Sequence, residues 1–278
     1  MREKLSEVVS FFISSTSFLP VMGAEIEFYL SSPPPNEFFD YYNSYKGKSP
    51  LLFAEIEKER GENQFEIRVI HCDHPILIAE TINQAKKIIT EAAEKFNLSA
   101  SFASKPYADQ PGNGLHIHIS LQDSNKKNIF IKQLDHEENP ILYYAIAGLL
   151  ELLPASMRYF APKPEDYARF IRKKCSESPT TISWGGNNRT VALRLPTSTL
   201  DPFNRRIEHR VPCANADPFN AMACVILGVA YGIINKITPK IEKIYGDAAL
   251  EQYNLSPLPA SLEESIAITH SYLMSHGY

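Results

Sequence analysis

Five short β-type stretches of this chain carry acidic, imidazole or guanidinium side chains among apolar ones. They are Ala24–Phe28, Glu57–Glu59 with Gln64–Arg68, Leu115–Leu121, Asn188–Arg194 and Arg206–Arg210. Residues two apart on a strand share a face. Glu25 and Glu27 therefore point together, as do His116, His118 and Ser120, and Arg206, Glu208 and Arg210. The opposite faces are mostly apolar and can pack. A sheet with one such polar face could hold metal ions and a polyanion between them. Five glutamates plus one histidine around two cations would suit hard Mg²⁺ or Mn²⁺ rather than zinc. Neighbouring arginines would neutralise a triphosphate. No GxxxxGK[ST] loop is present, so a P-loop nucleotide site is excluded.

Each stretch also has a plain structural reading. Glu25 and Glu27 could lie on an exposed sheet face, a lone histidine is usually structural, and Arg205–Arg210 could be a solvated charge run. Against these, two buried like charges are costly without a cation. The two histidines share one face directly after the tight turn Pro111-Gly112-Asn113-Gly114, and the charge run immediately precedes the most apolar helix.

The elements that must position these residues can be read from periodicity and punctuation. A helix over Glu3–Ile13 leads to a strand over Val21–Leu30, a Pro-rich surface loop over Ser31–Pro50, and strands over Leu52–Glu59 and Gln64–Ile70 turned near Gly61. Asp73 is expected to cap a long helix with Ile78, Ile82, Ala85, Ile89, Ala92 and Phe96 on one face. Strands follow at Leu98–Ala103 and Leu115–Gln122, then a helix over Pro140–Leu153 and a polar stretch to Thr181. Strands at Ile182–Trp184, Thr190–Pro196 and Arg205–Val211, a helix over Pro218–Asn235 capped by Asp217, and a weaker helix over Leu262–Met274 complete the order. Strands and helices alternate without a βαβ rhythm, which predicts an α+β fold with a largely antiparallel sheet in one domain, 1–278. The two most apolar helices are expected to be buried core, because both runs fall short of the ~20 residues that cross a bilayer. Gly228 and Gly232 would let the second lie close to a sheet.

With 44% hydrophobic and 22% charged residues, the composition is that of an ordinary globular protein, and a net charge of −4 gives no support for a nucleic-acid partner. Cys72, Cys175, Cys213 and Cys224 form no CxxC pair, which suits reduced thiols and a cytoplasmic location. The N-terminus reads as an amphipathic helix rather than a signal peptide.

Several motifs in order carry a family resemblance: Gly23-x-Glu25-x-Glu27-Phe28-Tyr29, Gln64-Phe65-Glu66, Lys105-Pro106, Gly112-Asn113-Gly114-Leu115-His116-Ile117-His118, Ser183-Trp184-Gly185, Asn188-Arg189, Arg194-Leu195-Pro196 and Arg206-x-Glu208-x-Arg210. From about Val21 to Glu264 the chain resembles the catalytic domain of glutamine synthetase and of relatives that ligate other amines to glutamate, with wording closest to the amine ligases. The resemblance implies a glutamine synthetase/guanidino kinase-like fold, a curved antiparallel sheet backed by helices. It implies ATP as substrate, two or more Mg²⁺ or Mn²⁺, and glutamate with ammonia or a small amine, and no nucleic acid or membrane partner.

Carried over by position, Glu27, Glu59 and Glu66 resemble the ligands of the metal on the glutamate side, and Glu25, His116 and Glu208 those of the metal that holds the ATP phosphates. His118, Ser120 and Arg206 fall at nucleotide-contacting positions. Arg189 and Arg210 match the arginines that grip the transferred phosphoryl group. Arg169 resembles the clamp on the glutamate α-carboxylate, Gly112 lies in the substrate-side turn, and Arg194 falls near the acyl phosphate. Glu177, in Ser176-Glu177-Ser178-Pro179, matches the glutamate of a flap over the γ-glutamyl phosphate intermediate.

Four departures stand out. The match begins where the family's catalytic domain begins, without the β-grasp domain whose Asp binds ammonium. The link between Glu27 and Glu59 is short, Pro111 stands where the family has an asparagine that holds glutamate, and the sequence stops soon after Leu258–Glu264. The family's dodecameric ring is therefore not expected, though another homo-oligomer is compatible. Two further readings stay open: a degenerate relative that binds Mg-ATP or glutamate without ligation, and a metal-dependent hydrolase, since a His-x-His strand also begins amidohydrolase barrels. The latter would need more ligands than His136, His209 and His270 offer, the first and last being loop- or helix-borne and His209 facing away from Glu208.

Overall fold

Alternation of apolar and polar side chains along two adjacent strands organises the molecule. The computed structural model describes residues 1–46, 53–132, 138–172, 177–197 and 204–275. Its elements in chain order are α1 (Arg2–Thr16), β1 (Leu19–Leu30), α2 (Asn36–Lys46), β2 (Phe53–Lys58), β3 (Gln64–Cys72), α3 (Pro75–Lys95), β4 (Ala100–Ser101), β5 (Leu115–Gln122), α4 (Pro140–Phe160), β6 (Trp184–Gly185), β7 (Leu193–Arg194), β8 (Ile207–His209), α5 (Pro218–Asn235) and α6 (Leu262–Ser275). The strands form one sheet in the order β2-β3-β1-β5-β8-β7-β6, with β4 also on β1. All pairs are antiparallel except β6 with β7. The fold is α+β, as the sequence predicted, and the open strand order gives no barrel for the hydrolase reading.

One sheet face is apolar. Met22, Ala24, Ile26 and Phe28 of β1, Leu115, Ile117, Ile119 and Leu121 of β5, and Ile67 and Val69 of β3 are buried in one core with α3, α4 and α5. His209 of β8 belongs to this face, 4.8 Å from the Phe160 ring and opposite in direction to Glu208. The strand period that packs these residues turns Glu25, Glu27, Glu66, His116, His118 and Glu208 to the other face.

Several boundaries differ from the sequence reading, each for a physical reason. Pro75 takes the first helical position of α3, so His74 rather than Asp73 is the N-cap, without a side-chain cap bond. Asp217 caps α5 as expected, accepting from the Asn220 N–H at 2.9 Å. The segment read as loop contains α2, whose Phe38 and Tyr42 are buried and whose Phe38 and Tyr41 meet Phe96. Aromatic residues are indifferent helix formers, and packing decides the outcome. Helix α4 continues through Pro154 to Phe160 and reaches 21 residues, because burial of Ser156, Met157 and Phe160 outweighs the ~3 kcal/mol cost of an internal proline. Strands expected at Leu98–Ala103, Ile182–Trp184, Thr190–Pro196 and Arg205–Val211 shrink to two or three residues each. The described residues around them lie mostly outside regular secondary structure.

Helices α4 and α5 are long and apolar enough to cross a membrane by length and composition, yet here they pack on each other inside the core. Gly228 and Gly232 face α4 rather than the sheet. A Cβ on Gly232 would lie 1.9 Å from the Tyr144 carbonyl oxygen, and one on Gly148 2.1 Å from the Gly228 carbonyl oxygen. Cys72, Cys213 and Cys224 are free thiols. Cys175, His136, Ser176 and residues 47–52, which include the expected start of β2, lie outside the described residues.

The helix contact generates a stability prediction. Gly232→Ala forces apart two backbones that cannot yield, and should destabilise the protein by about 3 kcal/mol in urea unfolding. Gly186→Ala, whose Cβ would meet only the flexible end of Lys243 at 3.3 Å, should change stability little. Equal effects of the two substitutions would contradict this packing.

Candidate active site

The polar face of the sheet is the floor of a cavity of about 560 Å³. Strand register brings its residues together directly. Across β1 and β5, Glu25 is opposite His116; across β1 and β3, Glu25 is opposite Arg68 and Glu27 opposite Glu66; across β5 and β8, His118 is opposite Glu208; across β7 and β8, Arg194 is opposite Glu208.

His116 sits at the centre. Its Nδ1 lies 3.5 Å from Glu25 and 3.7 Å from Glu208, and its Nε2 3.9 Å from Glu27. His118 accepts a hydrogen bond from Arg206 Nε at 3.0 Å and turns its Nε2 to Glu25, 3.3 Å away. Two groups of ligand atoms lie within 4.8 Å of one another: Glu25, His116 and Glu208, and Glu27, Glu66 and His116. The first is the trio expected at the phosphate-side metal. In the second, His116 joins Glu27 and Glu66, while Glu59 lines the same cavity outside the tight cluster.

The electrostatics mark the floor as short of positive charge. Burial, with Glu25, Glu27 and Glu59 nearby, pushes the Glu66 carboxyl up to about 9. Burial and the neighbouring Glu27 also raise Glu59. Burial opposes the charge of Glu25, but His116 and His118 outweigh it and hold the carboxyl well below its usual range. Burial likewise opposes the charge of Glu208, which Arg210, the two histidines and Arg194 bring down to about 2. His116 Nδ1 and His118 Nε2 are buried and have no hydrogen-bond partner among the described residues. Buried polar atoms of this kind are exceptional. Together with a carboxylate-rich donor set, they fit hard divalent cations.

Arginines gather at the edge of this cluster. Arg194 Nη1 pairs with Glu208 at 2.6 Å and its Nε donates to Asn187, and Arg210 pairs with Glu208 and donates to the Arg189 carbonyl. Arg189 Nη1 lies 3.9 Å from Glu177, which also pairs with Arg60 at 2.8 Å. Arg206, Arg169, Gly112 and Glu177 line the same cavity. Ser120 is buried farther along β5 and is not a lining residue.

Arg169 is carried by a 3₁₀ helix, Pro164–Phe170, within the stretch read only as polar. Asp166 fixes that helix by accepting from the Lys163 N–H and from Asn215 Nδ2. The Arg169 terminal nitrogens donate to the carbonyls of Arg210 and Val211, and Nε has no partner among the described residues. The 112–114 turn lies against it: a Cβ on Gly114 would come 2.6 Å from Arg169 Nη2. Asn113 is structural, donating to the Ser101 and Ala103 carbonyls, and Gln64 donates to Asn113 Oδ1 and to the Gly112 carbonyl. Pro111 lines the cavity beside them.

Sequence reasoning did not single out Arg60, Arg68, His71 or Asn187, all lining residues. Arg68 could have been found from its two-residue spacing to Glu66; the others sit in turns or at a strand end, where spacing carries no face.

Comparison with known proteins agrees with this architecture. A family model described as "Glutamine synthetase, catalytic domain" matches residues 49–272. The chain is 32% identical over 234 residues to gamma-glutamylputrescine synthetase of Escherichia coli (strain K12), covering 83% of this chain and 48% of that protein. It is 30% identical over 230 residues to glutamate–methylamine ligase of Methyloversatilis universalis, covering 76% and 49%. Among solved structures, a "GmaS/ADP complex" superposes with a TM-score of 0.83 at 23% identity, over 97% of this chain and 67% of that one. A "novel glutamine synthase homolog" superposes with a TM-score of 0.82 at 20% identity, over 98% and 66%. The chain spans about half the length of the curated relatives it matches. On the matched length and identity, the chain belongs to the glutamine synthetase family, through its catalytic domain.

Proposed function

We propose that this chain is the catalytic part of an ATP-dependent ligase that joins glutamate to ammonia or a small amine through γ-glutamyl phosphate. The observation that carries the reading is the gathering, in one cavity, of a carboxylate–imidazole cluster and the arginines that pair with its edge. The names of related proteins, among them glutamate–methylamine and glutamate–isopropylamine ligases, support the reaction class.

Glu25, His116 and Glu208 would hold one divalent ion and Glu27, Glu66 and Glu59, with His116 adjacent, a second. Bound there, the ions would supply Lewis-acid stabilisation of phosphate charge. The chain's own residues do the rest. Arg189, Arg210 and Arg194 lie where charge on a transferring phosphoryl group can be neutralised, since such transfer is catalysed mainly by positioning and electrostatics. Arg206 and His118 form a hydrogen-bonded pair on the nucleotide side. Arg169 and Gly112 shape the glutamate side, where Arg169 acts through the loop carbonyls it holds. Glu177, which pairs with Arg60 in the free chain, would turn to attract an ammonium group, accept its proton and help exclude water from the intermediate.

Two results test this. With glutamate, ATP and Mg²⁺ or Mn²⁺, a panel of amines should include one that gives ADP and a γ-glutamyl amide in equal amounts. ATP binding without amide formation from any amine would favour the binding-only reading, which the engaged nitrogens of Arg169 and the presence of Pro111 support. Glu66→Gln should abolish turnover yet raise metal-free stability at neutral pH by about 2 kcal/mol, because the folded protein holds on Glu66 a proton that the unfolded chain releases, and the amide removes that cost. A stability loss with retained turnover would contradict Glu66 as a metal ligand.

A further inference from the structure

The acidic floor contains one cation of its own that no family position assigned above explains. Arg68 stands directly opposite Glu25 on the neighbouring strand and two residues from Glu66 on its own. Its Nε donates to Glu66 Oε1 at 3.2 Å and lies 3.8 Å from Glu25 Oε1, and its Nη2 pairs with Glu57 at 2.9 Å. Glu25 belongs to one candidate ligand group and Glu66 to the other, so a single guanidinium touches both. Its side chain is 50% exposed, while those of Glu25 and Glu66 are 19% and 5% exposed. The head group therefore stands at the rim, tethered outward by Glu57, and can leave the floor without disturbing the core.

From this geometry we infer that Arg68 is a built-in counter-cation that competes with divalent ions for Glu25 and Glu66. In the metal-free protein it neutralises part of the carboxylate floor and keeps the two side chains in place. When an ion binds, the same carboxylate oxygens turn to it, and Arg68 is left with Glu57. The residue thus sets the metal affinity of the site and holds the empty site folded. The inference rests on the proposed metal-dependent ligase reading, and its consequences are visible without turnover. A positive charge this close to a divalent cation opposes its binding, and partial exposure moderates the effect.

Calorimetric titration of Mn²⁺ into the purified chain, with parallel thermal melts in EDTA, tests it. Arg68→Gln should bind Mn²⁺ about tenfold tighter than the parent and melt at a lower temperature in EDTA. Arg68→Lys, which keeps the charge on a shorter reach, should stay within about twofold of the parent in affinity. Equal or weaker Mn²⁺ binding by Arg68→Gln, with the parent binding normally, overturns the inference alone. Absence of Mn²⁺ binding by the parent and both variants overturns the metal reading and this inference with it.

Discussion

The structure depends on one electrostatic constraint: five carboxylates and two imidazoles share the face of a sheet whose other face is the core. Register enforces the crowding. Once Ala24, Ile26, Ile117 and Ile119 pack inward, Glu25 must face His116, and Glu27 must face Glu66. Sliding one strand by a residue would relieve the repulsion but would turn the apolar set to the cavity. The hydrophobic term and the charge term are thus coupled through the pleat, and the charge is tolerated because the packing cannot be given up.

The surrounding residues answer that constraint. Arg194 and Arg210 both pair with Glu208, and Arg206 supports the imidazole that leans on Glu25. Around Glu66 and Glu59, burial and neighbouring carboxylates outweigh the half-exposed Arg68, and there the carboxyls are raised. Local charge deficits of this type concentrate at functional sites. The same geometry that is costly for an isolated fold is a ready receptor for divalent cations and, with the arginines at its edge, for a phosphate chain.

Much of this was legible in the sequence. Period-two alternation fixed which glutamates and histidines share a face, and the boundaries of β5 and α5 were recovered to the residue. What was not legible depends on tertiary contact. Helix α2 exists because Phe38 and Tyr42 find a pocket beside Phe96, which no local propensity announces. Pro154 reads as a stop signal but is overridden by the apolar surface beyond it. Arg169 was identified by motif, yet its engagement with the 210 and 211 carbonyls depends on how the 3₁₀ helix docks. The second ligand group likewise differs in composition from the motif, with His116 nearer than Glu59.

The central claim is that the carboxylate–imidazole floor is a two-cation site. Anomalous diffraction from crystals soaked in Mn²⁺ tests it most directly. The account predicts one manganese peak bonded by Glu25, His116 and Glu208 and a second bonded by Glu27 and Glu66; density with no manganese on that floor would contradict it.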